Sequence, residues 1–109
     1  MKAIFLTLIG ITAIGTSSAD PIRVACVGDS ITFGAGIRDR QNQSYPAQLS
    51  KMLGESHLVK NFGNSGSTLL KKGDKPYWKQ REFAAAVAFE PHIVVIKLGT
   101  NDTKPQNWK

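Results

Sequence analysis

Three short polar segments that contain glycine hold residue types suited to acyl transfer, at positions 28–30, 63–66 and 99–102 of the 109-residue chain. Acyl transfer needs a nucleophile, hydrogen-bond donors where the oxyanion develops, and a base. Ser30 offers a hydroxyl nucleophile and its own backbone N–H. Gly66 offers a backbone N–H that no side chain obstructs, and Asn101 offers a neutral side-chain amide. The sequence therefore supplies candidates for the first two requirements.

Each of these segments follows a run of residues that favours a β-strand. The runs cover residues 22–27, 57–62 and 93–96, and the last is continuously β-branched, as in a parallel strand covered on both faces. Helical patterns lie between the runs, which predicts an α/β fold with a parallel sheet. Because ligands bind outside the carboxyl ends of such strands, we expect the three segments to converge on one crevice.

Two amphipathic patterns predict the helices that cover this sheet. The first is capped by Ser44 and ended by Gly54, and its apolar positions at i, i+4, i+7 and i+8 are Tyr45, Leu49, Met52 and Leu53. The second spans residues 78–89, directs Phe83 and Val87 toward the sheet, and ends before Pro91. Both patterns are interpreted as core packing rather than cofactor binding.

In this order, and each after a strand, the three segments resemble the first three sequence blocks of the GDSL hydrolase family, also called SGNH. The resemblance implies a flavodoxin-like three-layer α/β/α fold, with strand order 2-1-3 for the part present and incomplete at the C-terminus. It implies that Ser30 is the nucleophile, and that the Ser30 N–H, the Gly66 N–H and the Asn101 side chain form the oxyanion hole. Asp29 and Asp102 are interpreted as supporting, local turn-stabilising acceptors. No cofactor or metal is expected.

Two further segments, residues 73–78 and 97–108, resemble the branch of this family that contains carbohydrate and sialate O-acetylesterases. The resemblance implies a small-molecule or carbohydrate ester as substrate, with acetyl as the expected acyl group. Tyr77, Trp78 and Trp108 are candidates for stacking on a sugar ring, with ordinary packing as the alternative.

The base that acyl transfer requires has no match in the chain. The family's fourth block, Asp-x-x-His, is absent, and the two histidines precede or begin predicted strands. His57 and His92 are thus expected at the opposite edge of the sheet, roughly 15 to 20 Å from Ser30 at about 3.3 Å per strand residue. Residues 20–109 are expected to be the N-terminal portion of a hydrolase domain, with the catalytic Asp-x-x-His beyond Lys109 and no activity in this chain alone.

The leading hypothesis is a secreted serine esterase that hydrolyses carboxylic esters, and a catalytically inactive or binding-only protein of the same fold is the alternative. A flavin- or nucleotide-binding domain is disfavoured because residues 28–36 fit neither common phosphate-binding glycine pattern. Nucleic acid is not an expected partner, since the net charge of +6 is diffuse and its densest part, residues 71–81, fits a solvated loop. The single cysteine, Cys26, excludes an internal disulfide and is interpreted as a small buried hydrophobe.

The N-terminus has the pattern of an export signal. Lys2 provides a positive charge, residues 4–14 an apolar stretch, and residues 17–19 the small side chains that precede a cleavage site. The apolar stretch is shorter than the roughly 20 residues that span a membrane, and polar residues interrupt it. Residues 1–19 are therefore predicted to be a signal peptide, with no membrane span after its removal and a secreted or periplasmic location.

Cleavage is predicted between Ala19 and Asp20. N-terminal sequencing of the exported protein should begin at Asp20, because signal peptidase cuts after small residues. Recovery of exported protein that still begins with Met1 would contradict this prediction.

Overall fold

The computed structural model describes residues 2–4, 7, 9–10 and 19–108, so most of the predicted signal peptide lies outside the described residues. The strands are β1 (Ile22–Gly28), β2 (His57–Gly63) and β3 (Ile93–Lys97). The α-helices are α1 (Ser30–Phe33), α2 (Arg40–Gln43), α3 (Tyr45–Leu53) and α4 (Arg81–Ala88). Single 3-10 turns cover Gly54–Ser56, Tyr77–Lys79 and Asn101–Thr103. Within the described ranges, no helix is long and apolar enough to cross a membrane.

The three strands form one parallel sheet in the order β2-β1-β3. Ile22 lies opposite His57 at one end of β1, and Gly28 lies between Gly63 and Lys97 at the other end. The predicted parallel α/β sheet and its 2-1-3 order are thereby confirmed. β1 is the central strand, and its residues 24–28 are buried because neighbouring strands and both faces cover them.

Helices lie on both faces of the sheet, which gives the three layers that the family resemblance implies. The hydrophobic core on the α4 side is formed by Ala25, Val27, Phe62, Tyr77 and Ala86. Cys26 points to the other face, where its thiol interacts with the Tyr45 hydroxyl of α3. Cys26 is fully buried, and this burial raises the pKa of its thiol. The prediction that Cys26 is a small buried side chain is confirmed.

Helix α3 has the predicted bounds, but one of its predicted apolar positions is exposed. It follows Ser44, whose backbone is extended and whose side chain makes no capping hydrogen bond, and Pro46 in its first turn favours the helix start. Gly54 ends the helix with a φ of 70°. Met52 is 76% exposed, so it does not take part in packing α3 against the sheet.

Helix α4 begins at Arg81, three residues later than the amphipathic pattern predicts. The reason is the extended backbone of Gln80 (φ −89°, ψ 150°), which separates α4 from the 3-10 turn before it. The break between the 3-10 turn and α4 depends on the backbone conformation of Gln80, which the spacing of apolar residues in the sequence does not reveal. The side-chain amide of Gln80 donates to the Pro76 carbonyl at 2.9 Å and so holds the extended residue in place.

Tyr77 and Trp78, two of the candidates for sugar stacking, pack against the protein itself. Tyr77 is 0% exposed, and its hydroxyl donates to the Phe62 carbonyl at 2.7 Å. The Trp78 ring packs edge-on against the Phe83 ring, with 5.2 Å between the ring centres. Its indole N–H donates to the Leu69 carbonyl at 2.9 Å. Ordinary packing, the alternative that the sequence left open, therefore describes both residues.

Strand β3 departs from the prediction of a strand covered on both faces. Its residues 93–96 are 36% to 60% exposed. On the α4 side, Val94 and Ile96 line an apolar groove of about 320 Å³. Val87 of α4, which was predicted to face the sheet, lines the same groove and is 60% exposed. The three polar segments do not line this groove, so it is separate from the chemistry they offer.

The buried hydroxyl of Tyr77 makes a testable contribution to the pH dependence of stability. Burial, and to a smaller extent the nearby Glu82, raises the pKa of Tyr77 to about 12. The pKa of tyrosine in an unfolded chain is about 10. The native state keeps this proton where the unfolded chain loses it, so the stabilisation is complete below about pH 10 and is lost between pH 10 and 12.

The free energy of unfolding in urea should therefore be compared between wild type and Tyr77→Phe from about pH 9 to pH 11.5. The advantage of wild type should shrink as the pH rises, because only wild type carries the titrating hydroxyl. A difference that stays constant over this range would contradict the prediction.

Candidate active site

Ser30 follows the end of β1 in a tight turn, and position 28 of this turn has no room for a side chain. It is the first residue of α1 and follows directly on Gly28 and Asp29. A Cβ at position 28 would overlap the Lys97 carbonyl, so β1 and β3 approach this closely only because the residue is glycine. The Asp29 carboxylate accepts the Ile31 N–H at 3.0 Å and caps α1. Ser30 therefore has a fixed backbone at the carboxyl edge of the sheet.

Asn61 holds α1, and with it Ser30, against β2. Its Nδ2 donates to the Thr32 carbonyl at 2.8 Å, and its Oδ1 accepts the Gly63 N–H at 2.9 Å. A side chain at position 63 would overlap the backbone of Phe33, so α1 lies directly on the end of β2. The position of Ser30 is thus determined from the neighbouring strands on both sides.

Asn64 anchors the turn that contains Gly66. Its backbone N–H donates to the Gly28 carbonyl at 2.9 Å, and its Nδ2 donates to Glu82 of α4 at 2.9 Å. Its Oδ1 accepts the Ser67 hydroxyl at 2.8 Å. Gly66 itself has a φ of 84°, in the left-handed region that favours glycine. The Gly66 N–H donates to no described residue and is available to a ligand.

Two carboxylates border the site and differ in how they are bonded. Burial would raise the pKa of Glu82, but hydrogen bonds from its own backbone N–H, Arg81 and Asn64 lower that pKa overall. Glu82 is therefore an ionised acceptor that anchors Asn64. Asp29 is fully buried, and its Oδ2 has no hydrogen-bond partner among the described residues. Such an unpaired buried oxygen is uncommon, and here it belongs to the residue that directly precedes Ser30.

The Asn101 side chain meets the Gly66 turn directly. Asn101 begins the 3-10 turn after β3, is 8% exposed, and donates from Nδ2 to the Ser67 carbonyl at 3.0 Å. Gly99, with a φ of 117°, allows the chain to turn between β3 and Asn101. An amide nitrogen carries two N–H groups, and the second one of Asn101 donates to no described residue. The structure thus brings Asn101 and Gly66 together beside the end of β1.

Asp102 reaches farther than a local turn acceptor. It is 8% exposed, and its carboxylate accepts the Leu69 N–H at 3.0 Å and the Leu70 N–H at 2.7 Å. The interpretation of Asp102 as a local acceptor is therefore wrong, whereas Asp29 does bond locally. The physical reason is that backbone hydrogen bonds from Asp102 to Gly99 and from Lys104 to Asn101 close this turn without a side chain.

Sequence reasoning did not single out Asn64, Ser67 or Asn107 as contributors to the site. Asn64 and Ser67 flank Gly66, and polar side chains around a turn glycine were the signal available for them. Asn107 had no local signal, because its Nδ2 donates to the Asn101 carbonyl at 2.9 Å and to Asp74 at 3.0 Å, on a separate loop.

The two histidines lie at the other edge of the sheet, as predicted. His57 pairs with Ile22 at the start of β1, and Nδ1 of His92 accepts the Arg23 N–H at 2.9 Å. The length of β1 separates both from Ser30, which is about 20 Å at the usual strand rise of about 3.3 Å per residue. Neither imidazole can accept the Ser30 proton. The described part of the chain also contains no group of three His, Cys, Asp or Glu side chains that could hold a metal.

Comparison with known proteins gives a family match that includes all three polar segments. The model of the GDSL-like Lipase/Acylhydrolase family matches residues 26–109. An acetylxylan esterase of Xylanibacter ruminicola is 57% identical over 90 residues, which cover 83% of this chain and 19% of that protein. The chain thus spans about a fifth of the length of this relative. No solved structure matches the chain.

The side-chain hydrogen bonds of Asn61 predict a specific loss of stability. Asn61→Ala should lower the free energy of unfolding by about 2 kcal/mol, because it leaves the Gly63 N–H and the Thr32 carbonyl without these partners. Asn42→Ala is the matched control, since its amide contacts only the exposed Asp39, and it should change stability by less than about 0.5 kcal/mol. Equal urea midpoints for the two variants would overturn the role given to Asn61.

Proposed function

Because the chain belongs to the GDSL-like lipase/acylhydrolase family, a family of ester hydrolases, we propose that it provides the nucleophile and the oxyanion hole of a serine esterase. The observation that carries this proposal is the hydrogen bond from Asn101 Nδ2 to the Ser67 carbonyl, at 3.0 Å. That bond places a neutral amide donor against the Gly66 turn. The Gly66 N–H and the Ser30 N–H, which donate to no described residue, complete a set of three donors.

In the proposed reaction the Ser30 hydroxyl oxygen attacks the carbonyl carbon of an ester. The carbonyl oxygen becomes an oxyanion, and the alcohol leaves when this tetrahedral intermediate collapses to an acyl-enzyme. A hydrogen bond is stronger when its acceptor is charged, so the three donors favour the oxyanion of the transition state over the neutral ester. Loss of one such donor costs about 2.7 to 4 kcal/mol of transition-state stabilisation in hydrolases.

The proton of Ser30 needs an acceptor, and the described residues limit which group this is. His57 and His92 lie about 20 Å away along β1 at the usual strand rise. One oxygen of Asp29 caps α1, and both oxygens of Asp102 accept backbone N–H groups. A carboxylate is also a weak base for a serine hydroxyl without an intervening imidazole. These residues are therefore excluded, and the proposal takes the base from the family resemblance, which implies the histidine of an Asp-x-x-His block rather than His57 or His92.

The proposed substrate is an acetyl ester carried by a carbohydrate. This is supported by the 57% identity to an acetylxylan esterase and by the exposed ring of Trp108, which is 76% exposed. An exposed indole offers a flat apolar face on which a sugar ring can stack. A polysaccharide substrate fits the secreted or periplasmic location that the pattern of residues 1–19 predicts.

The distance of both histidines from Ser30 favours one alternative function. In that alternative the same crevice holds an ester or a carboxylate through its three donors and does not turn it over. The two functions differ in whether Ser30 becomes acylated, so a substitution at Ser30 separates them.

The test is hydrolysis of p-nitrophenyl acetate and of acetylated xylan by the protein expressed from its native gene. Ser30→Ala should abolish turnover, and Asn101→Ala should lower kcat by about 100- to 1,000-fold through the loss of one donor. The double variant His57→Ala/His92→Ala is the control and should retain the wild-type rate. A wild-type rate no higher than that of Ser30→Ala would overturn the esterase proposal and favour binding without turnover.

A further inference from the structure

Two neighbouring residues of the turn after β3 form hydrogen bonds to the same loop, residues 67–70, one as a donor and the other as an acceptor. Asn101 donates from its side chain to the Ser67 carbonyl at 3.0 Å. Asp102 accepts the N–H groups of Leu69 and Leu70 at 3.0 and 2.7 Å. The partners lie more than thirty residues earlier in the chain, so these bonds join two separate segments. Three hydrogen bonds to residues 67–70 fix both the distance of this loop from the turn and its rotation.

The loop that Asp102 holds is the one that presents the Gly66 N–H. Gly66 directly precedes Ser67, whose carbonyl accepts from Asn101, so the position of the Gly66 N–H depends on where residues 67–70 lie. Beyond Leu70 the loop is closed on itself, since the Thr68 N–H donates to the Lys75 carbonyl at 2.8 Å and the Thr68 hydroxyl donates to the Leu70 carbonyl at 2.8 Å. A shift of this closed unit would move the Gly66 N–H with it.

A carboxylate suits this position and an amide does not. Both oxygens of Asp102 are used as acceptors, one for each N–H. An asparagine side chain offers a single acceptor oxygen, and its NH2 group would face the second N–H donor to donor. Because Asp102 is 8% exposed, water has little access to compensate for the lost bond.

We propose that Asp102 is a positioning residue, which sets the separation between the Gly66 N–H and the Asn101 amide before a substrate arrives. This inference rests on the proposed function, because it assumes that these groups form the oxyanion hole. It adds that their geometry is maintained by a carboxylate that does not touch the substrate. Donors held in place in advance need no rearrangement when charge develops, and a displacement of about 1 Å in a site of this kind can cost about 100-fold in rate.

The test uses acetate, a small carboxylate that can accept from the same donors without any chemical step. Acetate is titrated into 15N-labelled protein, and the backbone N–H signals of Ser30 and Gly66 and the side-chain NH2 signal of Asn101 are followed by NMR. In wild type these signals should shift together. In Asp102→Asn the dissociation constant for acetate should rise about tenfold or more, because one donor has moved. Only signals of folded molecules are followed, so a loss of stability alone would leave this constant unchanged.

Asp39→Asn is the matched control. Both oxygens of Asp39 also accept hydrogen bonds, from the side-chain amide of Asn42 at 3.1 Å, but Asp39 is exposed and this partner lies within α2. Its substitution should leave the acetate dissociation constant within about twofold of wild type. If Asp102→Asn does not fold, Asp102→Glu keeps two acceptor oxygens on a longer side chain, and it should fold and still weaken acetate binding.

Each outcome decides between the two proposals. Equal acetate affinity in wild type and in the folded Asp102 variants would overturn the positioning role and leave the oxyanion hole in place. A wild-type protein in which acetate shifts none of the three signals would overturn the oxyanion hole itself, and this inference with it.

Discussion

The backbone of Gly28 lies between the carboxyl ends of β2 and β3, paired with Gly63 on one side and Lys97 on the other. Its carbonyl also accepts the N–H of Asn64, which begins the turn that carries Gly66. A side chain at position 28 would force β1 away from Lys97 and from the first turn of α1. Parallel strands in register end at the same level. The close approach of Gly28 to its two neighbouring strands therefore brings all three polar segments to the same edge of the sheet.

The site built on this junction consists mainly of hydrogen bonds between segments that are distant in the chain. Asn61 ties α1 to β2, Asn64 ties the Gly66 turn to β1 and α4, and Asp102 ties the next loop to the turn after β3. Buried polar groups stabilise a structure only when they are paired, so such a network permits few arrangements. The rigidity that follows is the property an oxyanion hole requires, since its donors must be in place before charge develops.

Away from the carboxyl edge, the sheet offers an apolar groove and two distant histidines rather than hydrogen-bond donors. Between β3 and α4 lies an apolar groove that includes Val87, Val94 and Ile96, and the two histidines lie at the amino-terminal edge of the strands. A continuous β-branched strand is typical of a parallel sheet covered on both faces, but in the described residues β3 is half exposed. The donors of the proposed oxyanion hole therefore lie at the carboxyl edge, where the Ser30 and Gly66 N–H groups have no partner among the described residues.

The sequence by itself determined the three strands, the two covering helices and their order, because strand and helix signals are local. A run that favours a β-strand, with a glycine directly or shortly after it, predicted each strand end, and the three strands then placed Ser30, Gly66 and Asn101 at one edge. The same reasoning placed His57 and His92 at the other edge, since strand direction alone decides it. The late start of α4 at Arg81 escaped prediction, because the extended backbone of Gln80 leaves the amphipathic period unchanged.

Only the tertiary structure decided which polar side chains meet. Asp102 read as a turn residue from its neighbours, yet its partners are the N–H groups of Leu69 and Leu70. Tyr77 read as a loop aromatic, yet its ring fills the core and its hydroxyl bonds to Phe62. A hydrogen bond between residues thirty positions apart leaves no periodic trace in the sequence. Its existence depends on how the loops fold over the sheet, which the order of the strands does not specify.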